Sequence, residues 1–251
     1  MSRMLTFYAA AWASAREAAS VGRRADALAR LAPLLSSPDC PPRLTRQAHK
    51  LAARLYLFDE RWAKARRHLR AALDLDPQDA AVHYDLGLAF ERDPYGCDER
   101  AARRFREAVQ LVPTEAKYVA ALGRALVRLN RVRAGVKRLR AAVDLAPANA
   151  AVLRVVVEGL TEAGKPRLAY KLVTMAKFLA PANRVVQQLW QTTRFTLARL
   201  SQPQGRRVVG NGPKVLPLVR LVGSGTVVRR DAGSRMAPHV GWLKPHRAER
   251  G

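Results

Sequence analysis

The side chains that could carry out acid–base or metal chemistry are five histidines and two cysteines, and their spacing supports neither. They are His49, His68, His83, His239, His246, Cys40 and Cys97. A zinc site needs three or four ligands with short characteristic spacing, and a covalent catalyst needs a nucleophile beside a base. The Gly-Asn-Gly and Gly-Ser-Gly stretches lack the following helix of a phosphate-binding loop. We therefore expect a protein without catalytic activity, bound metal or cofactor.

Cations, by contrast, are abundant and recur at a regular interval. The 251 residues include 45 Lys and Arg against 20 Asp and Glu, a net charge of +25 that attracts nucleic acid, anionic lipid or acidic protein segments. Two rows three residues apart share one helical face. The rows are Arg67, Arg103, Lys137 and Lys171, and then Arg70, Arg106 and Arg140. Such an outer ridge could hold a polyanion backbone; the alternative is a solvated face in a chain that favours arginine.

These cations recur at the same interval as a longer repeat in the sequence. Apolar stretches are closed by Pro77, Pro113, Pro147 and Pro181, which recur at intervals of 36, 34 and 34 along the sequence. Five and twelve residues before each proline stand small residues: Ala72, Ala108, Ala142 and Ala176, and then Ala65, Ala101, Gly135 and Ala169. Small residues recur where two helices approach closely, so each unit is predicted to be two amphipathic helices joined by a turn. The longer unit carries its two extra residues in the turn at 93–98, where a loop absorbs them at little cost.

This unit resembles the tetratricopeptide repeat, a helix-turn-helix of about 34 residues. The family has small residues at unit positions 8, 20 and 27 and a proline at position 32. All four units keep the last three features, whereas glycine at position 8 appears only as Gly87 and Gly123. The usual tryptophan at position 4 is replaced by His49, His83, Val119 and Leu153. The resemblance implies an all-α, right-handed superhelical solenoid.

The predicted organisation places four units at about 46–79, 80–115, 116–149 and 150–183, an array covering 46–181. Residues 1–45 are expected to form a degenerate helix pair, and residues 182–200 a capping helix. Solenoids need such ends because each unit buries its core only against its neighbours. Residues 201–251 are basic and rich in Gly, Pro and Arg. We expect a mostly disordered tail, although two β-prone runs around Gly-Ser-Gly would permit a hairpin.

The resemblance also implies which side chains face a ligand. In this family, positions 2, 5, 9, 12 and 13 of the first helices line a concave groove. The candidate groove residues are Lys50, Arg54, Phe58, Tyr84, Leu88, Arg92, Lys117, Arg124, Arg128 and Arg154. Seven are cations and three could form an apolar floor, a pattern suited to an extended peptide with acidic side chains or a terminal carboxylate. A solvated basic face without a fixed ligand is the alternative.

Together these features predict a non-catalytic scaffold that binds an extended, acidic segment of another protein in its groove. The alternative is a binder of RNA, DNA or an anionic membrane surface that uses the outer ridge and the tail. No apolar run approaches the length of a membrane-spanning helix. The start, MSRMLTFYAAAWASAREA, weakly resembles a signal peptide but continues as a predicted helix. Two cysteines in turn-like contexts fit a reducing compartment, so we expect a cytoplasmic protein, with export as the alternative.

Overall fold

The computed structural model describes residues 2–201, which form eleven helices and no strand. The helices are α1 (Ser2–Ser20), α2 (Arg24–Ser36), α3 (Pro42–Phe58), α4 (Trp62–Leu75), α5 (Ala80–Glu91), α6 (Asp98–Leu111), α7 (Ala116–Arg128), α8 (Val132–Leu145), α9 (Ala150–Glu162), α10 (Pro166–Leu179) and α11 (Arg184–Ser201). Of the predicted tail, residues 201–251, the structure describes only Ser201, which ends α11, and the predicted hairpin lies outside the described residues.

The helices stack as successive pairs. Each first helix packs against its own second helix, as α3 does on α4 and α7 on α8. Each second helix then packs against the first helix of the next pair, and first helices also contact each other, as α3 contacts α5 and α7 contacts α9. The helix α11 follows the fifth pair and covers α9 and α10. This arrangement is the all-α helical solenoid that the sequence predicts.

Glycines at the repeat positions allow the two helices of a pair to approach closely. A Cβ atom at Gly87 would lie 2.5 Å from the Phe105 ring. At Gly135 a Cβ would lie 2.7 Å from the backbone oxygen of Gly123, in the partner helix. Both distances are too short for a side chain unless the neighbouring atoms move, so in these two units glycine allows a closer approach than the larger residues that other units carry at the same positions, such as Ala65 and Ala101.

One large apolar residue of each second helix fills the space that these small residues leave. Leu69, Phe105, Leu139 and Val173 occupy equivalent positions and are fully buried. A second cluster, around Leu31 and Leu34, joins α1 and α2 to α3. Truncating one such core side chain to alanine typically costs about 2–5 kcal/mol, so these anchors set much of the solenoid's stability.

Three helices that follow a repeat proline begin with the same kind of capping residue, two positions after that proline. The side chain of Asp79 accepts hydrogen bonds from the backbone N–H groups of residues 81 and 82 at 3.1 and 3.2 Å. Asn149 caps α9 in the same way, and Asn183 does so for α11. The third unit has Glu115 at this position and no side-chain cap. These caps satisfy backbone donors that a helix leaves unpaired at its start.

Candidate functional site

The candidate groove residues lie on the first helices of four successive pairs. Lys50, Arg54 and Phe58 belong to α3; Tyr84 and Leu88 belong to α5, with Arg92 just after its end; Lys117, Arg124 and Arg128 belong to α7; and Arg154 belongs to α9. Ion pairs join α3 to α5, α5 to α7 and α7 to α9, so these first helices lie side by side, and their common face is called the inner surface.

The first two helices of this inner surface are joined by two ion pairs. The Nζ atom of Lys50 lies 2.5 Å from Oδ2 of Asp79, the residue that caps α5. The Nε atom of Arg54 lies 3.2 Å from Oδ2 of Asp85, whose side chain is 12% exposed. Burial raises the pKa of Asp85, although the Arg54 guanidinium opposes this shift. Both cations therefore link α3 to α5 or to the residue that caps it.

The last three helices of the inner surface are joined through Arg124. Its guanidinium lies 2.6 Å from Oε2 of Glu91 on α5 and also pairs with Glu158 on α9. Arg128 lies 3.5 Å from Glu91 and 3.3 Å from Glu162. The side chain of Glu91 is only 2% exposed, so this carboxylate is stabilised by two arginines instead of water. Burial would lower the pKa of Arg124, but Glu91 and Glu158 outweigh it and raise that pKa.

These pairs change the charge that the groove presents. The sequence counts seven groove cations, and in the structure Lys50, Arg54, Arg124 and Arg128 are each paired with a carboxylate of a neighbouring helix. Stacking one repeat on the next brings side chains of successive units into contact, which a count of charges does not show. The four paired cations therefore join successive first helices.

Three of the seven candidate groove cations are not held in an ion pair between helices. Within residues 2–201, the side chains of Arg92 and Arg154 are exposed and form no ion pair. Lys117 is 49% exposed and its nearest carboxylate oxygen, on Glu115, lies 3.9 Å away. Such an exposed pair contributes little and dissociates readily. These three cations, on or beside α5, α7 and α9, are therefore the candidate groove charges that take no part in an ion pair between helices.

The apolar groove candidates differ in accessibility. The Tyr84 ring packs against Tyr118 and Phe105, with centroids 5.0 and 5.8 Å apart, and burial raises its pKa. Leu88 is half-buried against the same core. Phe58 is 65% exposed, and the guanidinium of Arg24 on α2 lies 4.4 Å from its ring centroid. Tyr84 and Leu88 therefore offer edges of the core, whereas Phe58 contacts the preceding helix pair.

The outer ridge has a different character. All seven of its cations are exposed on the second helices α4, α6, α8 and α10, and none forms an ion pair within the described part of the chain. The adjoining Arg66 and Arg104 do form pairs, with Asp93 and Glu107. The ridge is thus an uncompensated positive surface.

The histidines of residues 2–201 are not assembled into a metal centre. No group of three His, Cys, Asp or Glu side chains could hold a metal ion there. His49 and His68 lie with their Nδ1 atoms 3.0 Å apart between α3 and α4, and His83 Nε2 lies 2.9 Å from the Pro77 carbonyl. No helix in this range is long and apolar enough to cross a membrane.

Comparison with known proteins identifies the repeat. A family model described as a TPR repeat matches residues 55–93, and no curated protein is significantly similar in sequence. The MamA fragment 41-end of Desulfovibrio magneticus RS-1 is 16% identical, covering 71% of this chain and 97% of its own, with a TM-score of 0.59. A thermophilic TPR protein of Thermus thermophilus is 17% identical, covering 75% and 99%, with a TM-score of 0.58.

A third similar structure is that of YrrB, described as a TPR protein with an unusual peptide-binding site. It is 17% identical, covers 70% of this chain and 88% of its own, and has a TM-score of 0.51. At such identities the solved structures establish a shared fold. With the repeat model, they confirm the resemblance predicted from the spacing of the prolines and small residues.

Proposed function

We propose that this chain, which carries a tetratricopeptide repeat in a solenoid of that fold, is a non-catalytic scaffold that binds an extended segment of another protein along its inner helices. The observation that carries this proposal is that the inner cations fall into two groups, one paired with carboxylates and one unpaired. Four are held in ion pairs between repeats, and Arg92, Lys117 and Arg154 are left for a ligand. The solved structure of YrrB, whose description includes a peptide-binding site, supports the class of ligand.

The preferred segment is acidic. The guanidinium groups of Arg92 and Arg154 can form charge-assisted and often bidentate hydrogen bonds with carboxylates, and the ammonium group of Lys117 adds a third cation between them. An extended peptide can place alternate side chains toward them. The half-buried edge of Leu88 supplies apolar contact between the charges. Binding is therefore expected to weaken as salt rises, because exposed charges are screened beyond about 8 Å at physiological ionic strength.

The test compares two triple charge reversals in the full-length protein. The inner variant changes Arg92, Lys117 and Arg154 to Glu, and the outer control changes Arg67, Arg103 and Lys137 to Glu. Both alter net charge equally, and none of the six residues forms a close ion pair in the described chain. Proteins crosslinked to each variant in its own cell are identified by mass spectrometry, after circular dichroism has shown unchanged helix content.

The proposal expects the inner variant to lose its main partner while the outer control retains it. Unchanged capture of the partner by the inner variant would refute the proposal that the partner binds in the groove. Arg124 is left intact, since its reversal would break contacts between α5, α7 and α9 and could abolish binding by unfolding the array.

A second candidate function, polyanion binding, rests on the seven exposed and unpaired cations of the outer ridge in the described helices. It predicts sequence-indifferent retention of short RNA or DNA, with an affinity that falls steeply with salt. Here the roles of the variants reverse, so the outer triple variant should lose binding and the inner one keep it. Absence of any retention by the unmodified protein at low salt would remove the nucleic-acid form of this function. Vesicles of anionic lipid test its membrane form.

A further inference from the structure

The turn of the second repeat departs from the other three for a physical reason. Between the helices of the other pairs, Glu60, Asn130 and Gly164 adopt positive φ values of 58°, 60° and 67° at equivalent positions. The second repeat has Pro94 at that position. The proline ring restricts φ to negative values, so the left-handed turn cannot form. The chain instead makes a turn of six residues, 92–97, before α6 begins, whereas the turns of the other three repeats have three residues each.

A cavity of about 230 Å³ lies beside this longer turn. Its lining combines residues of α4, the end of α5, the turn and the start of α6. The lining residues are Ala63, Arg66, Arg70, Phe90, Tyr95, Gly96, Cys97 and Arg100. Three guanidinium groups and no carboxylate line the cavity. In repeat proteins, insertions of this kind map to one face and often form binding surfaces.

Only one of the three arginines has its charge compensated. The Nη1 atom of Arg66 lies 2.5 Å from Oδ2 of Asp93 and donates to the Ala89 carbonyl at 3.2 Å. Arg70 and Arg100 are exposed and form no ion pair within the described part of the chain. The nearby carboxylate of Glu99 accepts a hydrogen bond from the Cys97 thiol at 3.0 Å. The cavity therefore presents two unpaired guanidinium groups beside a third that is fixed, and the Glu99 carboxylate lies at its edge, in contact with Cys97.

The rest of the lining is apolar and aromatic. Phe90 is buried and forms one wall, with the Arg100 guanidinium 6.0 Å from its ring centroid. Tyr95 is 97% exposed, although its ring is large and apolar. An aromatic side chain held in water at the edge of a cationic cavity is well placed to stack on a planar group.

We propose that this cavity binds a dianionic phosphate monoester carried on an aromatic group. At neutral pH such a monoester carries about −1.5 to −2 charges, which matches the two free arginines. The planar forks of Arg70 and Arg100 suit phosphate oxygens, and Phe90 and Tyr95 suit the ring. The volume is below the usual range for a whole drug-sized ligand, which is consistent with a single phosphorylated group. The site uses none of the groove residues and is independent of the peptide function.

Cys97 provides the measurement, because it lines the cavity whereas Cys40 is only 5% exposed. The rate of Cys97 alkylation by iodoacetamide is followed by mass spectrometry in the full-length protein, with phenyl phosphate as the probe. At a concentration about ten times Kd, mass action predicts that alkylation slows about tenfold. Phenol and inorganic phosphate serve as the two halves of the probe, and a phosphotyrosine peptide tests whether the group can be presented by a protein.

The expected result is protection by phenyl phosphate at concentrations where neither half protects. Arg70→Gln and Arg100→Gln should each raise the half-protecting concentration about tenfold. Arg133→Gln, at an exposed arginine of α8 that belongs to neither the cavity nor the candidate groove and ridge, should leave it unchanged. Protection by the peptide as well assigns the site to a phosphorylated side chain, and protection by phenyl phosphate alone assigns it to a small molecule. No protection, or equal protection by phenol or by inorganic phosphate, would overturn the proposal.

Discussion

The Arg124→Gln substitution should destabilise the solenoid strongly, although it lies in the predicted ligand groove. It leaves the Glu91 carboxylate, 2% exposed, without the guanidinium at 2.6 Å. Breaking a buried ion pair on one side typically costs about 3–5 kcal/mol. Arg128 remains 3.5 Å from Glu91 and compensates in part, so we expect a loss of about 2–3 kcal/mol in the free energy of unfolding.

Urea unfolding followed by circular dichroism measures this loss, with the slope of the transition checked for constancy. The matched control is Arg154→Gln on the next inner helix, which is exposed and unpaired in the described chain and should change stability by less than about 0.5 kcal/mol. Adding Glu91→Gln to Arg124→Gln should recover part of the loss, because the buried charge is then removed. An Arg124→Gln protein as stable as the control would refute the structural role assigned to this arginine.

Three further outcomes follow from the repeat geometry. Gly135→Ala should cost about 1–3 kcal/mol, since its Cβ would lie 2.7 Å from the Gly123 oxygen; unchanged thermal unfolding would contradict this. Asp79→Ala should cost about 1–2 kcal/mol through the lost cap and the lost Lys50 ion pair, while Asp79→Asn, which can still cap and loses only the ion pair, should cost less in the same urea assay. Burial lowers the pKa of His49 and His68 below 6.5, so the unfolded chain binds more protons and stability should fall as pH drops below about 6.5. A protein with both His49→Gln and His68→Gln should lose less stability between about pH 7.5 and 5.5 than the unmodified protein does. An identical loss in the two proteins would show that this histidine pair is not the source of the pH dependence.

The helical pairs were predictable because close packing restricts residue type. Only small residues fit where helices touch, so positions such as Ala65 and Gly135 recur at the repeat interval and reveal the solenoid. The caps at Asp79 and Asn149 follow a similar rule, an Asp or Asn two residues after the repeat proline, which the sequence-based prediction missed. Each is a local requirement, and local requirements are visible in sequence.

Which groove cations are paired with carboxylates was harder to predict from the sequence, because it depends on contacts between repeats. Arg124 and Glu158 occupy the same unit position in successive repeats, and so do Arg128 and Glu162. Opposite charges at one unit position therefore indicate an ion pair between repeats, and an alignment of the units contains that information. An alignment of the units does not show that Glu91 pairs with two arginines, because that pairing depends on how far each helix is buried.

The most direct test of the scaffold function is site-specific photocrosslinking in the protein's own cell from one inner and one outer position. Thr161 is exposed on the inner helix α9, and Arg140 is exposed on the outer helix α8. A probe at Thr161 is predicted to crosslink one main protein partner through an acidic segment, and crosslinking in cell extract should decrease with added salt. A probe at Arg140 should not crosslink that partner. Crosslinks to it from Arg140 with none from Thr161 would contradict binding in the groove.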